Sequence, residues 1–314
     1  MSVPRSVALF LGVGILAASQ SGNLVRLADA HPVVIAAWRL GIASALLAPI
    51  AGRRLETLRR LDRCEVGLLL LAALALAAHF FTWIAAVQHT SVANAAVFFA
   101  VNPVITAVAA HLLYGERLTR RLGLSIALGL LGVAAIGAAD LGLRREQLFG
   151  DALAVLCSVL FTCYFLLGKR LRRTLDSSVY VTALYGLASV MSFAAVAVLR
   201  LPFVDYRPRT WLAFGLMALI PTMLGHTSLN HALRYMDAGR IATLTLSEPL
   251  FAGLVALVAW GEPVHGSGLL GYSLICASVL VVAREQARLA PAPSVGPPVT
   301  AGTPVTAGDA ASTK

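Results

Sequence analysis

The chain has 314 residues, of which 58% are hydrophobic and 13% charged, with a mean hydropathy of +0.80. A soluble globular domain is nearer half apolar and a quarter charged, so that class is excluded. The formal net charge of +10 raises nucleic acid as a partner, but the placement of the basic residues gives it another meaning and no nucleic acid is expected.

A helix needs ~20 mostly apolar residues to cross a bilayer core ~30 Å thick. By that rule ten spans follow in chain order: 6–25, 31–51, 65–87, 92–113, 121–139, 149–168, 178–199, 210–232, 240–260 and 266–284. The first resembles a signal peptide in length, but it lacks a clear small-residue cleavage site and runs into further spans, so it is read as retained. It carries Ser19, Gln20 and Asn23. The second span holds Arg39; the third holds His79 and Trp83, four apart. In the fourth, Asn94, Phe98 and Asn102 recur every fourth residue and share a face, just before Pro103. The fifth has the small-residue pair Ser125 and Gly129. The eighth repeats the four-residue spacing with Thr222, His226 and Asn230. The ninth contains Glu248 next to Pro249, and the tenth has Ser273 and Ala277. After residue 289 the sequence turns to proline, glycine, alanine and threonine without periodicity, the composition of a disordered tail.

Joining segments are short, leaving no room for a water-soluble catalytic domain. Three of the four cysteines (Cys157, Cys163, Cys276) fall in spans, Cys64 falls just before the third, and no C-x-x-C occurs. Disulfides, metal and cofactor are therefore not expected. Gly266 to Gly271 spells G-x-G-x-x-G, but it opens a span and follows no strand, so it implies no dinucleotide. With the loops assigned alternately to two sides, 18 of the 25 Lys and Arg fall on the side of the N-terminus, 6 on the other, and Arg39 lies within a span. Basic residues mark the cytoplasmic side, which puts both termini in the cytoplasm of a cell whose inner membrane holds the chain.

Two stretches align without a gap at an offset of 146 residues, from Ala86 and from Ala232. Pro103 falls on Pro249, Gly115-Glu116 on Gly261-Glu262, and Asn102 on Glu248. Each half thus holds five spans, and an odd number inverts the second copy. The expected architecture is all-α and integral to the membrane: ten transmembrane helices as two inverted five-helix repeats, 1–143 and 144–288, with 289–314 as a cytoplasmic tail. Inverted repeats that rock around a central site are a device of secondary carriers.

Over residues 5–285 the chain resembles the EamA-type families of the drug/metabolite transporter superfamily. The resemblance rests on W-R-L at 38–40, H-F-F-T-W at 79–83, H-T-S-V-A-N-A at 89–95, N-P at 102–103 and G-E-R-L at 115–118. In the second half it rests on G-H-T-S-L-N-H-A-L at 225–233, E-P at 248–249 and G-E-P at 261–263. It implies a ten-helix, two-repeat carrier of small metabolites, often amino acids or their relatives. Gln20 stands where many members have the Trp of a Trp-Gly-x-Asn pattern, a departure that bears on substrate preference.

A charge at the bilayer centre persists only where it faces protein or water. Glu248 is read either as a partner locking the ninth helix to a neighbour or as a substrate or proton site. Arg39 is read either as a tie between helices or as a bidentate partner for a substrate carboxylate. The candidate substrate-binding set is Arg39, His79, Trp83, Asn94, Phe98, Asn102, His226, Asn230 and Glu248, lining one polar, aromatic cavity. Glu116 and Glu262 are assigned to loop geometry, and the fifth and tenth helices to packing or a homodimer. The expected activity is export of amino acids or related compounds by alternating access, either coupled to a proton or counter-solute or running down the solute's own gradient. Nucleosides, sugars or cationic drugs stand as alternative solutes. A membrane-embedded enzyme ranks lower, because no loop carries a carboxylate–histidine set.

Overall fold

The computed structural model describes residues 3–137, 145–261 and 266–288. Fourteen α-helices in that range build ten rods long and apolar enough to cross a membrane. The first is α1 (Arg5–Ala18) with α2 (Ser21–Val25); α3 (Pro32–Ala51) and α4 (Arg63–His89) are the second and third. The fourth comprises α5 (Val92–Phe99) and α6 (Asn102–Tyr114), and α7 (Arg120–Gly137) is the fifth. In the second half come α8 (Arg145–Leu171) and α9 (Ser177–Val198), then α10 (Pro208–Met217) and α11 (Thr227–Ala232) joined by a π-helical stretch. The ninth is α12 (Ala238–Leu244) and α13 (Glu248–Trp260) around a 3-10 turn; α14 (Gly266–Arg288) is the tenth. The expected tail, the 143/144 boundary and Glu262 lie outside the described residues.

Local chemistry sets the ends. Asp62 and Glu65 form a reciprocal capping box at the start of α4, with Glu65 N donating to Asp62 Oδ1 at 2.7 Å and Asp62 N to Glu65 Oε2 at 3.2 Å. Asp176 caps α9, and the Ser178 hydroxyl and amide that it accepts hold its carboxyl below the usual range. Helices α6 and α13 both end on a glycine in the left-handed region, Gly115 at φ 68° and Gly261 at φ 67°. Only glycine adopts that conformation without a Cβ penalty. The outward faces carry large apolar residues such as Leu112, Leu131 and Val258. These match lipid tails and need no other partner.

The rods pair in a pattern that fixes the architecture. The main packing partners are first with eighth, second with seventh (α3, α9), third with sixth (α4, α8), fourth with ninth (α6, α12) and fifth with tenth (α7, α14). Exchanging each rod with the one five later maps this set onto itself. Contacts run antiparallel: Ser125 meets Ser278, while further along α7 a Cβ on Gly132 would lie 2.7 Å from the Gly271 carbonyl oxygen. The two serines exchange hydroxyl-to-carbonyl bonds of 2.7 Å, and the paired glycines let the backbones touch. The 146-residue offset recurs in three dimensions. Val92, Asn102 and Gly115 correspond to Ala238, Glu248 and Gly261, so each of these rods breaks at the same place and restarts as a 13-residue helix led by Asn-Pro or Glu-Pro. The fold is all-helical, with ten spans in two inverted five-helix repeats.

Two breaks go beyond what the sequence indicated. The first rod turns at Ser19 and Gln20, and the eighth is π-helical over Ala218–His226, where Pro221 removes an amide donor and Thr222 Oγ1 bonds to Met217 O at 2.8 Å.

Candidate functional site

A cavity of about 450 Å³ lies between the first, fourth and ninth rods, with the third, fifth and tenth completing its wall. Its floor is at the level where all three main rods break: Ser19–Gln20, Ala100–Val101 and Thr245–Ser247. From there it runs toward the side opposite the N-terminus. Irregular backbone at this depth is tolerated in a membrane only where it is buried in protein or lines a cavity.

Glu248, the first residue of α13, is half-buried and lines this cavity beside Pro249. Among the described residues, no hydrogen-bond donor or cation reaches its carboxylate. Trp83 and Phe99 contribute aromatic walls with ring centroids 5.6 Å apart, edge to face, and Tyr272 a third. Asn23 ties α2 to the ninth rod, its Nδ2 donating to Ala252 O at 3.1 Å and to Gln20 Oε1 at 3.0 Å. Arg26 lines the exposed end.

Of the nine candidates named from sequence, Trp83 and Glu248 are in the lining and the other seven lie behind it. Arg39 is fully buried. Its Nε donates to Thr222 Oγ1 at 3.0 Å and its Nη1 to Ser21 Oγ at 3.4 Å, and its guanidinium carbon sits 3.9 Å above the Phe80 ring. It thus braces the second rod to the first, third and eighth, one residue behind the cavity wall at Gly22. His79 Nδ1 is 3.1 Å from Cys157 O, and His226 Nδ1 is 2.9 Å from Tyr164 Oη. The two imidazoles, 5.7 Å apart, share one aromatic cluster with Phe80, Phe161 and Tyr164. Asn230 Nδ2 donates to His226 O at 2.7 Å, and Asn230 O accepts from Arg172 Nε at 3.3 Å. Asn102 Nδ2 donates to Ser158 O and Thr162 Oγ1, both at 3.3 Å. Phe98 packs with Ala86 and Ala154, and Asn94 is buried in the first turn of α5.

The polar face of the fourth rod is therefore the face that packs on α8. The cavity face is offset from it and reads Val92, Ala96, Phe99 and Pro103. Sequence reasoning passed over Phe99, Tyr272 and Arg26. The signal for Phe99 was its helical register with Pro103; Tyr272 had none beyond being an aromatic in the tenth span.

On the N-terminal side the same rods are closed. Glu116, buried just past Gly115, accepts from Lys169 Nζ and also from the amides of Ala238 at 3.0 Å and Gly239 at 3.3 Å. It thereby caps the start of the ninth rod with the loop after the fourth. Thr119 Oγ1 donates to Glu285 Oε1 at 2.6 Å, and Arg240 pairs with Asp237 at 2.9 Å and Gln286 at 3.1 Å. Glu116 has more than a loop role: it joins the two repeats.

The EamA-like transporter family model matches residues 6–138 and again 148–284. An uncharacterized transporter of Archaeoglobus fulgidus is 30% identical over 232 residues, covering 74% of this chain and 80% of that protein. The uncharacterized transporter YyaM of Bacillus subtilis is 23% identical over 267 residues, covering 80% and 84%. A solved structure titled only "Crystal structure of protein" superposes with a TM-score of 0.78 at 20% identity, over 91% of this chain and 99% of that one, which speaks for the fold alone. The double family match repeats the internal duplication, and the relatives named as transporters set enzymes aside. The chain is a multi-pass membrane transporter of the EamA-like transporter family.

Proposed function

We propose that the chain is a secondary carrier that exports amino acids or related small organic solutes by alternating access, the two repeats, 1–143 and 144–288, rocking around the cavity at Glu248. The observation that carries this reading is a carboxylate without a protein partner among the described residues, at the break of the ninth rod, in a cavity of about 450 Å³ bounded by both repeats. The volume suits a small solute, and the closed N-terminal side contrasts with the cavity on the other. The basic bias supports an inner-membrane orientation with both termini in the cytoplasm and 289–314 as a cytoplasmic tail. A proton or a counter-solute at Glu248 would couple the cycle. A homodimer through the fifth and tenth rods would use outward leucines such as Leu131 and Leu269, because Ser125, Gly129, Gly132 and Gly271 are taken up between those two rods.

The test is counterflow into proteoliposomes across a panel of labelled amino acids and other metabolites, with Glu248→Gln as the comparison. A charged contact contributes ~1.5–3 kcal/mol, so the variant should lower affinity for an accepted solute roughly 10- to 150-fold. Absence of any flux above empty liposomes from folded protein would overturn the proposal.

A further inference from the structure

Resting on the carrier reading above, we infer that the cavity selects its solute as a cation: an organic ammonium ion with an apolar or aromatic body, whose carboxylate, if it has one, is not required. A zwitterion's carboxylate would be met most strongly by a positive charge near Glu248. Arg39 is the basic residue at that depth, and it is engaged elsewhere, on Thr222, Ser21 and the Phe80 ring, outside the lining. His79 and His226 likewise face Cys157 and Tyr164 rather than the cavity. Among the described residues, the cavity floor therefore presents one formal charge, the carboxylate of Glu248, to whatever enters.

Arg26 is at the far end of the cavity. The Asn23–Ala252 hydrogen bond puts those two residues at one level. Arg26 lies about 5 Å further out along α2 and Glu248 about 6 Å deeper along α13, at 1.5 Å of rise per residue, so their backbones are separated by about 10 Å of depth. The backbones of the two charged residues of the lining thus stand at opposite ends of the cavity in depth. The ammonium and carboxylate of an α-amino acid share one carbon.

The walls fit the same class. Trp83, Phe99 and Tyr272 offer π faces, which attract ammonium groups and shelter apolar bodies, and Ala96, Ala252 and Gly253 leave room beside them. An unpaired carboxylate in a partly dehydrated site is costly, and an incoming cation offsets that cost, whereas an anion adds to it.

The experiment is equilibrium binding to purified protein in lipid nanodiscs, with three probes that share one ring: phenethylamine, phenylalanine and 3-phenylpropionate. The expected order is phenethylamine at least as tight as phenylalanine, with 3-phenylpropionate not binding. Glu248→Gln should weaken phenethylamine by roughly tenfold or more, and Glu248→Asp, which keeps the charge, should retain most of the binding. Should the glutamine variant fail to fold, the aspartate variant and the probe order still decide the matter. Tighter binding of phenylalanine or 3-phenylpropionate than of phenethylamine, or no binding of phenethylamine at millimolar concentration, would overturn the inference. Counterflow of uncharged solutes indifferent to Glu248 would overturn it too, and would leave the carrier reading standing. Amine binding without counterflow of any solute would do the reverse.

Discussion

Replacing Glu116 by glutamine should unlatch the N-terminal side of the bundle. Glu116 is 9% exposed, and its carboxylate holds three donors at once: the Lys169 ammonium and the amides of Ala238 and Gly239. Glutamine keeps one acceptor oxygen but places an NH2 group against donors and leaves Lys169 unpaired. Removing one member of a buried pair costs ~3–5 kcal/mol, and because the Lys169 side chain is 14% exposed the lower figure applies. If these contacts exist only while the N-terminal side is shut, about 3 kcal/mol shifts the balance between conformers by roughly 150-fold. The assay is alkylation of a cysteine at Thr106, fully buried and bonded to Thr162, in a chain whose four native cysteines have been replaced. Its rate should rise by about one to two orders of magnitude in Glu116→Gln, while a cysteine at Ala252 becomes slower to react. A lower melting temperature with unchanged rates at both positions would refute the latch and reduce Glu116 to a structural cap.

Two further outcomes follow from the same geometry. Arg39→Lys should lower thermal stability, since lysine cannot reach Thr222 and Ser21 together while covering Phe80, yet leave solute affinity within about twofold in a binding titration, because Arg39 is outside the cavity lining. A Cβ at Gly132 would meet the Gly271 carbonyl at 2.7 Å and Ile275 Cγ1 at 2.8 Å, so Gly132→Leu should force α7 and α14 apart. The cost expected is ~1–3 kcal/mol or more, read as a fall in melting temperature, whereas Gly123→Leu, which faces open space, should cost little.

The number of spans and their duplication are legible in the sequence because lipid imposes a length of apolar chain, and because Pro103, Pro249, Gly115 and Gly261 punctuate the two halves identically. Glu248 is picked out by its charge at mid-bilayer depth and Trp83 by its four-residue spacing from His79, and both line the cavity. What failed to transfer was the rule that polar means wet. Asn102 and His226 bond to α8 and Asn230 to the preceding turn of its own rod, as polar side chains in a bilayer do whether or not water is near, so a polar stripe marks helix contact as readily as a cavity. The cavity face of the fourth rod is built of alanine, valine and phenylalanine, which no polarity argument selects. The break at Ser19–Gln20 has no proline to announce it. Glu116 looked like loop punctuation because its partners, Lys169 and the start of α12, are more than fifty residues away in sequence.

The most direct test of the account is solute protection at Ala252→Cys in proteoliposomes, since Ala252 lines the cavity one turn above Glu248. The account predicts that alkylation there stops counterflow and that saturating solute slows the alkylation. Counterflow that survives complete alkylation, at a rate of modification indifferent to solute, would mean that the solute takes another route.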